Sequence, residues 1–169
     1  WPEDRFAEAA IAISRATGAG IALTGGRADK IISLRVQRSL AQAGAPVVNL
    51  VGGTDFHQLG TVIQGSEGVL SNDTFTQHFA SALGVPNVTV FQGTPSPWMT
   101  LGYREGNRAV CEDDASSPSV QKVVGALLGT RMDYLEARRM GGYQFPIPAG
   151  PEAQTVGWHE RWVVGAGHL

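Results

Sequence analysis

Asp73, Thr74 and His78 are the residues whose types and spacing best suit chemistry in this chain. They follow an apolar Val69-Leu70 and a small polar Ser71-Asn72, and a helical pattern carrying Phe79, Ala80, Ala82 and Leu83 comes after them. Gly84-Val85-Pro86 then leads into a second β-rich run, Val88-Thr89-Val90-Phe91. The order is strand, tight turn, helix, turn, strand. Ser71 to Thr74 therefore stand at the carboxyl end of a strand and the amino end of a helix. Ligands of open α/β sheets gather at that edge. A helix start offers unpaired N–H groups and the positive end of a dipole, which suits phosphate or carboxylate. His78 lies about one helical turn beyond Thr74 on the same face, so its imidazole can donate to a phosphate held there.

The rest of the chain supplies elements to position that turn. Pro2-Glu3-Asp4 opens a helix with an inward face of Phe6, Ala9, Ala10 and Ile13. Ile21 to Thr24 reads as a strand closed by Gly25-Gly26, and Lys30 to Ala43 as a helix with Ile31, Leu34, Val36, Leu40 and Ala41 apolar. Val47 to Val51 is a buried strand, after which Thr54 or Asp55 caps a short helix carrying Phe56, Leu59, Val62 and Ile63. Ala109-Val110-Cys111 is a last short strand, followed by a helix from Ser119 to Leu128 and a separate short helix over Met132–Met140. Strands alternating with helices through short connections predict a parallel sheet with helices on both faces. Beyond Gly141-Gly142 the chain is rich in glycine and proline. It holds Trp158 and Trp162 there, an irregular tail expected to pack back on the domain or on a partner.

Composition bounds the reading. The chain has 169 residues, 43% hydrophobic and 17% charged, which fits one globular domain with a sizeable core. A net charge of −2 carries no basic footprint for nucleic acid. One cysteine, Cys111, excludes an internal disulfide framework, fits a reducing compartment, and reads as a small buried hydrophobe. No apolar run reaches the ~20 residues of a membrane span. His57, His159 and His168 lack ligand spacing with one another or with Cys111, so no metal site is expected, and His57 is expected on an exposed helical face. The chain begins at Trp1 without a methionine, which suggests a fragment.

Four stretches resemble one family. Trp1-Pro2-Glu3-Asp4-Arg5-Phe6-Ala7 and Ala22-Leu23-Thr24-Gly25 are similar to two of its segments. Asn49-Leu50-Val51-Gly52-Gly53-Thr54 with Leu59 resembles its "nlxGxTxLxxL". The most specific match runs from Ser71-Asn72-Asp73-Thr74 through His78, Ala80, Ala82-Leu83-Gly84-Val85-Pro86 and Val90-Phe91, which resembles "sDTGpmHlAaAlgvPxvxlFG". This is the pattern of the heptosyltransferase-like glycosyltransferase family nine, in the carboxyl-terminal, donor-binding half of a GT-B enzyme. The resemblance covers residues 1–128, read as a Rossmann-like nucleotide-sugar-binding domain whose first strand, with its lysine, is missing upstream. Residues 129–169 stand apart as helix plus tail. One departure lies inside the signature: Phe75 occupies the family's glycine position. A phenylalanine there either blocks the close approach of a diphosphate or turns inward and moves the contact.

The resemblance implies roles. Asn72, Asp73, Thr74, Phe75 and His78 would line the donor, with Asp73 on sugar hydroxyls, since a carboxylate repels diphosphate. Thr74 would contact phosphate, and His78 would stabilise the departing phosphate. The plain alternatives are an Asp73 N-cap, a Thr74 that merely starts the helix, and a His78 bonded to backbone. Thr24-Gly25 and Gly93-Thr94 share the same edge and are further donor contacts, or else tight turns. Trp98 and Tyr103 can stack on a base or sugar but more often fill a loop core, and Asp113-Asp114 reads as a solvated turn.

The implied reaction transfers a sugar from a nucleoside-diphosphate sugar to a hydroxyl acceptor with inversion and no cofactor. Its catalytic base would lie in an amino-terminal acceptor-binding domain on the same or another chain, so this chain alone is not expected to turn over. The expected location is cytoplasmic, at most peripheral to the inner membrane. The rival reading is a non-catalytic Rossmann-like scaffold that has lost donor binding.

Overall fold

The computed structural model describes residues 1–91, 107–112, 117–139 and 162–166. Helix α1 (Glu3–Thr17) has acids in its first turn, Arg15 in its last, and ends at Gly18 in the left-handed region, φ 70°. Strand β1 (Gly20–Thr24) follows, then a 3-10 turn (Arg27–Asp29) that runs into α2 (Lys30–Gln42). Strand β2 (Val47–Asn49) and helix α3 (Phe56–Gln64) come next. Asp55 is the α3 cap: its Oδ1 accepts from Gln58 N at 2.8 Å, and Gln58 Oε1 accepts from Asp55 N at 2.9 Å. Strand β3 (Ser66–Asn72), helix α4 (Phe75–Ala82), strand β4 (Asn87–Val90) and strand β5 (Asn107–Val110) follow. Helix α5 (Val120–Arg139) and strand β6 (Trp162–Ala166) complete the order.

The six strands form one sheet in the order β2-β1-β6-β3-β4-β5, parallel throughout. The strands alternate their side chains between two cores. Ile21, Leu23, Leu70, Val88, Val90 and Val110 meet α1, α2 and α5 on one face. Ala22 and Val69 meet Ile63 of α3 and Ala80 of α4 on the other. This is the expected α/β class, a parallel sheet with helices on both faces.

Three differences from the sequence reading have physical causes. First, part of the tail is regular. Trp162–Ala166 is a strand at the centre of the sheet, pairing Ile21↔Val163 on one side and Val69↔Val164 on the other. Its Trp-Val-Val run is β-prone, but flanking glycines and the distance from other elements disguised it. It lies between β1 and β3.

Second, α5 is one helix of 20 residues that runs through the 128/129 division. Gly125 and Gly129 each cost about 1 kcal/mol in a helix, but Val123 and Leu127 lie in the core and Arg131 donates from Nε to Glu67 Oε2 of β3 at 2.5 Å. Buried contacts at four-residue spacing therefore override local propensity.

Third, α2 buries Ser33, Val36 and Leu40, which leaves Ile31 and Leu34 exposed. His57 is exposed, as expected, and Cys111 is half-buried rather than buried.

Because β6 pairs on both edges, each of its backbone donors within the ladder has a partner to lose. Val164→Pro removes a donor from a central strand. It should destabilise by more than the ~0.5–3 kcal/mol of an ordinary substitution, read as loss of a cooperative urea transition by circular dichroism.

Candidate functional site

All strands are parallel, so their carboxyl ends lie on one edge of the sheet, together with the amino ends of the helices that follow. The chain reverses its direction of winding across β6: β1 and β2 lie on one side of it, β3, β4 and β5 on the other. Such a switch point opens a crevice at the carboxyl edge. The two strands that flank it, β1 and β3, end in Thr24-Gly25 and Asn72-Asp73-Thr74. These sequence-predicted residues are brought to one place.

Register ties the two sides together. Thr24 pairs with Ala166, and Ala166 pairs with Ser71. Thr24 and Ser71 therefore share one row and one face, about 10 Å apart across two strand spacings. Thr24 is 3% exposed and Ser71 fully buried, yet Thr24 Oγ1, Ser71 Oγ and Thr74 Oγ1 make no hydrogen bond among the described residues. Buried hydroxyls are normally satisfied, and each orphan costs about 1–3 kcal/mol. Three of them, at the ends of β1 and β3 and the start of α4, mark a place prepared for polar ligand atoms.

Thr74, not Asp73, is the N-cap of α4, with extended backbone (φ −140°, ψ 172°) and no side-chain capping bond. Its hydroxyl thus leaves the first helical N–H groups uncapped. Asp73 accepts from Gln77 Nε2 at 2.6 Å. Gln77 was not singled out in the sequence; its signal was the four-residue helical spacing from Asp73. Gln77 Nε2 also lies 3.4 Å from His78 Nε2, so the two predicted residues communicate through one amide. His78 itself is exposed rather than bonded to backbone in a half-buried niche. Asn72 Oδ1 accepts from Trp1 N at 2.9 Å.

Phe75 turns toward α3. Its ring centroid lies 5.6 Å from Phe56 and 5.3 Å from Phe79, and Phe56 stacks on Phe79 at 4.4 Å. The ring is thus engaged along the helices, although Phe75 stays 54% and Phe56 60% exposed. On the β1 side, the turn is laced to its neighbour: Gly52 N donates to Gly25 O at 3.0 Å and Leu50 N to Leu23 O at 2.8 Å. Gly93, Thr94, Trp98, Tyr103, Asp113 and Asp114 lie outside the described residues, as do His159 and His168. Among the described residues no group of His, Cys, Asp and Glu can hold a metal ion, and no helix is long and apolar enough to cross a membrane.

With that geometry in hand, known proteins match it. The model of glycosyltransferase family 9 (heptosyltransferase) matches residues 1–126. The chain belongs to glycosyltransferase family 9. Members of this family use nucleotide-sugar donors. The family-9 chain is 34% identical over 103 residues to lipooligosaccharide heptosyltransferase 2 of Haemophilus ducreyi, an overlap of 59% of this chain and 29% of the relative. Two solved structures share its fold. The family 9 glycosyl transferase of Veillonella parvula superposes with a TM-score of 0.66 at 18% identity, and the ADP-heptose LPS heptosyltransferase II of E. coli with 0.68 at 22%. Each superposition covers 79% of this chain and 42% of the other. The family-9 chain thus spans less than half the length of these relatives, and its fold is that of the GT-B glycosyltransferases.

The orphaned hydroxyls allow a direct check. Ser71→Ala removes an unpaired buried polar atom, so the unliganded protein should gain about 1 kcal/mol, read as a higher urea midpoint at unchanged slope. A lower midpoint would mean that the hydroxyl is already satisfied.

Proposed function

We propose that this chain is the donor-binding half of a glycosyltransferase that moves a sugar from a nucleoside-diphosphate sugar to a hydroxyl acceptor, with inversion. The single observation that carries the reading is the β3–α4 junction. There an uncapped helix start with a free Thr74 hydroxyl sits beside the switch point of a parallel sheet. Backbone N–H groups and a helix dipole at such a junction attract phosphate oxygens.

The chemistry follows from that placement. The anomeric carbon's bond to the phosphate oxygen breaks, and the electron pair leaves with the diphosphate. The acceptor oxygen bonds the opposite face of the same carbon and gives its proton to a base. On this reading the base belongs to a partner domain, and this chain binds the donor and stabilises the leaving group. Thr74 donates its hydroxyl to a phosphate oxygen, and the α4 amides add their dipole. His78, one turn along, donates to the departing diphosphate. Asp73 is already turned to Gln77 Nε2. Its remaining lone pairs suit sugar hydroxyls rather than phosphate, which a carboxylate repels. Thr24-Gly25 supplies the opposite wall, and Asn72 and Phe75 frame the turn. The exposed Phe56–Phe75 pair favours one rival: a scaffold domain of the same fold that docks a partner through these rings and binds no donor.

Calorimetric titration with ADP, GDP and UDP separates the two. A donor-binding domain should bind at least one of them. Thr74→Val and His78→Ala should each then weaken the affinity by roughly tenfold, about 1.4 kcal/mol. A folded protein that binds none of the three is the scaffold, and one that binds equally well after both substitutions does not hold its donor at the α4 start.

A further inference from the structure

Helix α2 turns apolar side chains outward as well as inward. Its inner positions, Ser33, Val36 and Leu40, are buried, and its exposed stripe runs through Lys30, Ile31, Leu34, Arg35 and Arg38. Ile31 is 67% and Leu34 58% exposed. Single exposed apolar side chains are ordinary on a protein surface. These two stand three residues apart on one face of the helix, and cations surround them. Lys30 precedes Ile31, Arg35 follows Leu34, and Arg38 lies one turn beyond Leu34. Arg27, exposed in the 3-10 turn, extends the row.

Acids are kept out of this stripe. The acid within residues 27–42 is Asp29, which is buried, with its Oδ2 accepting from Gly26 N at 2.7 Å. Arg35 meets Glu3 of α1 at 3.0 Å, and its side chain stays 64% exposed. Arg27, Lys30 and Arg38 have no ion pair among the described residues. The exposed Asp4 and Glu8 belong to α1, the neighbouring helix. The chain as a whole carries −2, so four cations within the twelve residues 27–38 are a local concentration that the composition does not require.

The arrangement selects its occupant. The core of a protein–protein interface is depleted of charge and enriched in aromatic rings, whereas Ile31 and Leu34 are bracketed by Arg and Lys with no ring among them. A bilayer surface takes the opposite pattern. Apolar side chains reach the acyl boundary, and long cationic stems lie beside them with their charged heads among the headgroups. Anionic lipids supply the complementary charge. We propose that the outer stripe of α2 lies on an anionic bilayer surface, with Ile31 and Leu34 at the headgroup boundary and Arg27, Lys30, Arg35 and Arg38 on lipid phosphates. The contact is with the surface and spans nothing, and it does not depend on the donor-binding reading. Ile31 and Leu34 were legible in the sequence as an apolar set, but periodicity does not say which side of a helix meets the core.

The test sediments the whole chain with vesicles of phosphatidylcholine alone and of an equal mixture of phosphatidylcholine and phosphatidylglycerol, at low and high salt. The chain should partition onto the mixed vesicles at least tenfold more strongly than onto the neutral ones, and high salt should weaken that binding. Lys30→Gln/Arg38→Gln and Ile31→Ser/Leu34→Ser should each lower the partition roughly tenfold. Both variants should keep a cooperative unfolding transition, because all four side chains are exposed. Arg15→Gln, which removes an exposed charge from the last turn of α1, should leave the partition within about twofold. Equal binding to both kinds of vesicle, or to neither, overturns the proposal, as does binding that survives Ile31→Ser/Leu34→Ser. A parent that is dimeric in solution and becomes monomeric in that variant makes the stripe a protein interface and overturns it as well.

Discussion

Pairing of one strand on both its edges is the constraint on which the rest of the molecule depends. β6 lies between β1 and β3, parallel to each. Without it the sheet would be a two-strand piece and a three-strand piece joined only through helices. A parallel strand cannot satisfy its ladder from one side when it is buried, because every N–H and C=O needs a partner away from water. The pairing therefore does more than add a strand. It sets the separation of the β1 and β3 ends, and it places Thr24 and Ser71 in one row. Winding reverses across this strand, and open α/β sheets bind their ligands at the carboxyl edge of such a point.

The edge itself trades stability for readiness. Burying Thr24, Ser71 and Thr74 hydroxyls without partners is unfavourable. The opposite edge behaves differently. There Asn87 Nδ2 donates to Asn107 Oδ1 at 2.6 Å, and Asn107 Nδ2 donates to Ser81 Oγ at 2.8 Å. Glu67 and Arg131 are buried as a pair. Among the described residues, Arg131 Nη2 is the buried polar atom left over at the amino edge, whereas three hydroxyls are left over at the carboxyl edge. That asymmetry agrees with where ligands bind in open α/β sheets.

Legibility in the sequence followed the range of the interactions. The elements from α1 to β5 were readable because each rests on local signals: Gly18 after a helix, Thr54 or Asp55 as a cap before Phe56, and the β-branched Val47-Val48. The Asp73-Thr74 turn was readable for the same reason. Partnerships set by tertiary structure were hidden. The periodicity of α2 marked Ile31 and Leu34 as core, but the neighbours α1 and β2 select the Ser33–Val36–Leu40 face. Gly129 looked like a break, yet Val123, Leu127 and Arg131 carry α5 through it. Nothing local announces that Trp162–Ala166 belongs between strands more than 90 residues earlier in the chain. Pairing at such separation is a property of the fold, not of the segment.

Phe75 illustrates how a departure from a family pattern is absorbed. A glycine at this position leaves the helix start open; a phenylalanine must be put somewhere. The ring finds Phe56 and Phe79, and Phe79 in turn needs room. That room comes from Gly60, where an added Cβ would lie 3.1 Å from Phe79 Cζ. Phe56, Gly60, Phe75 and Phe79 thus form one set spanning α3 and α4, in which the large residue at one position is balanced by the missing side chain at another. The consequence for the site is directional. The aromatic mass is drawn along the helices toward α3, while the Thr74 hydroxyl and the first α4 amides stay on the edge beside β6. A substitution that looks like a plug in the sequence becomes a brace between two helices whose amino ends lie at the carboxyl edge of the sheet.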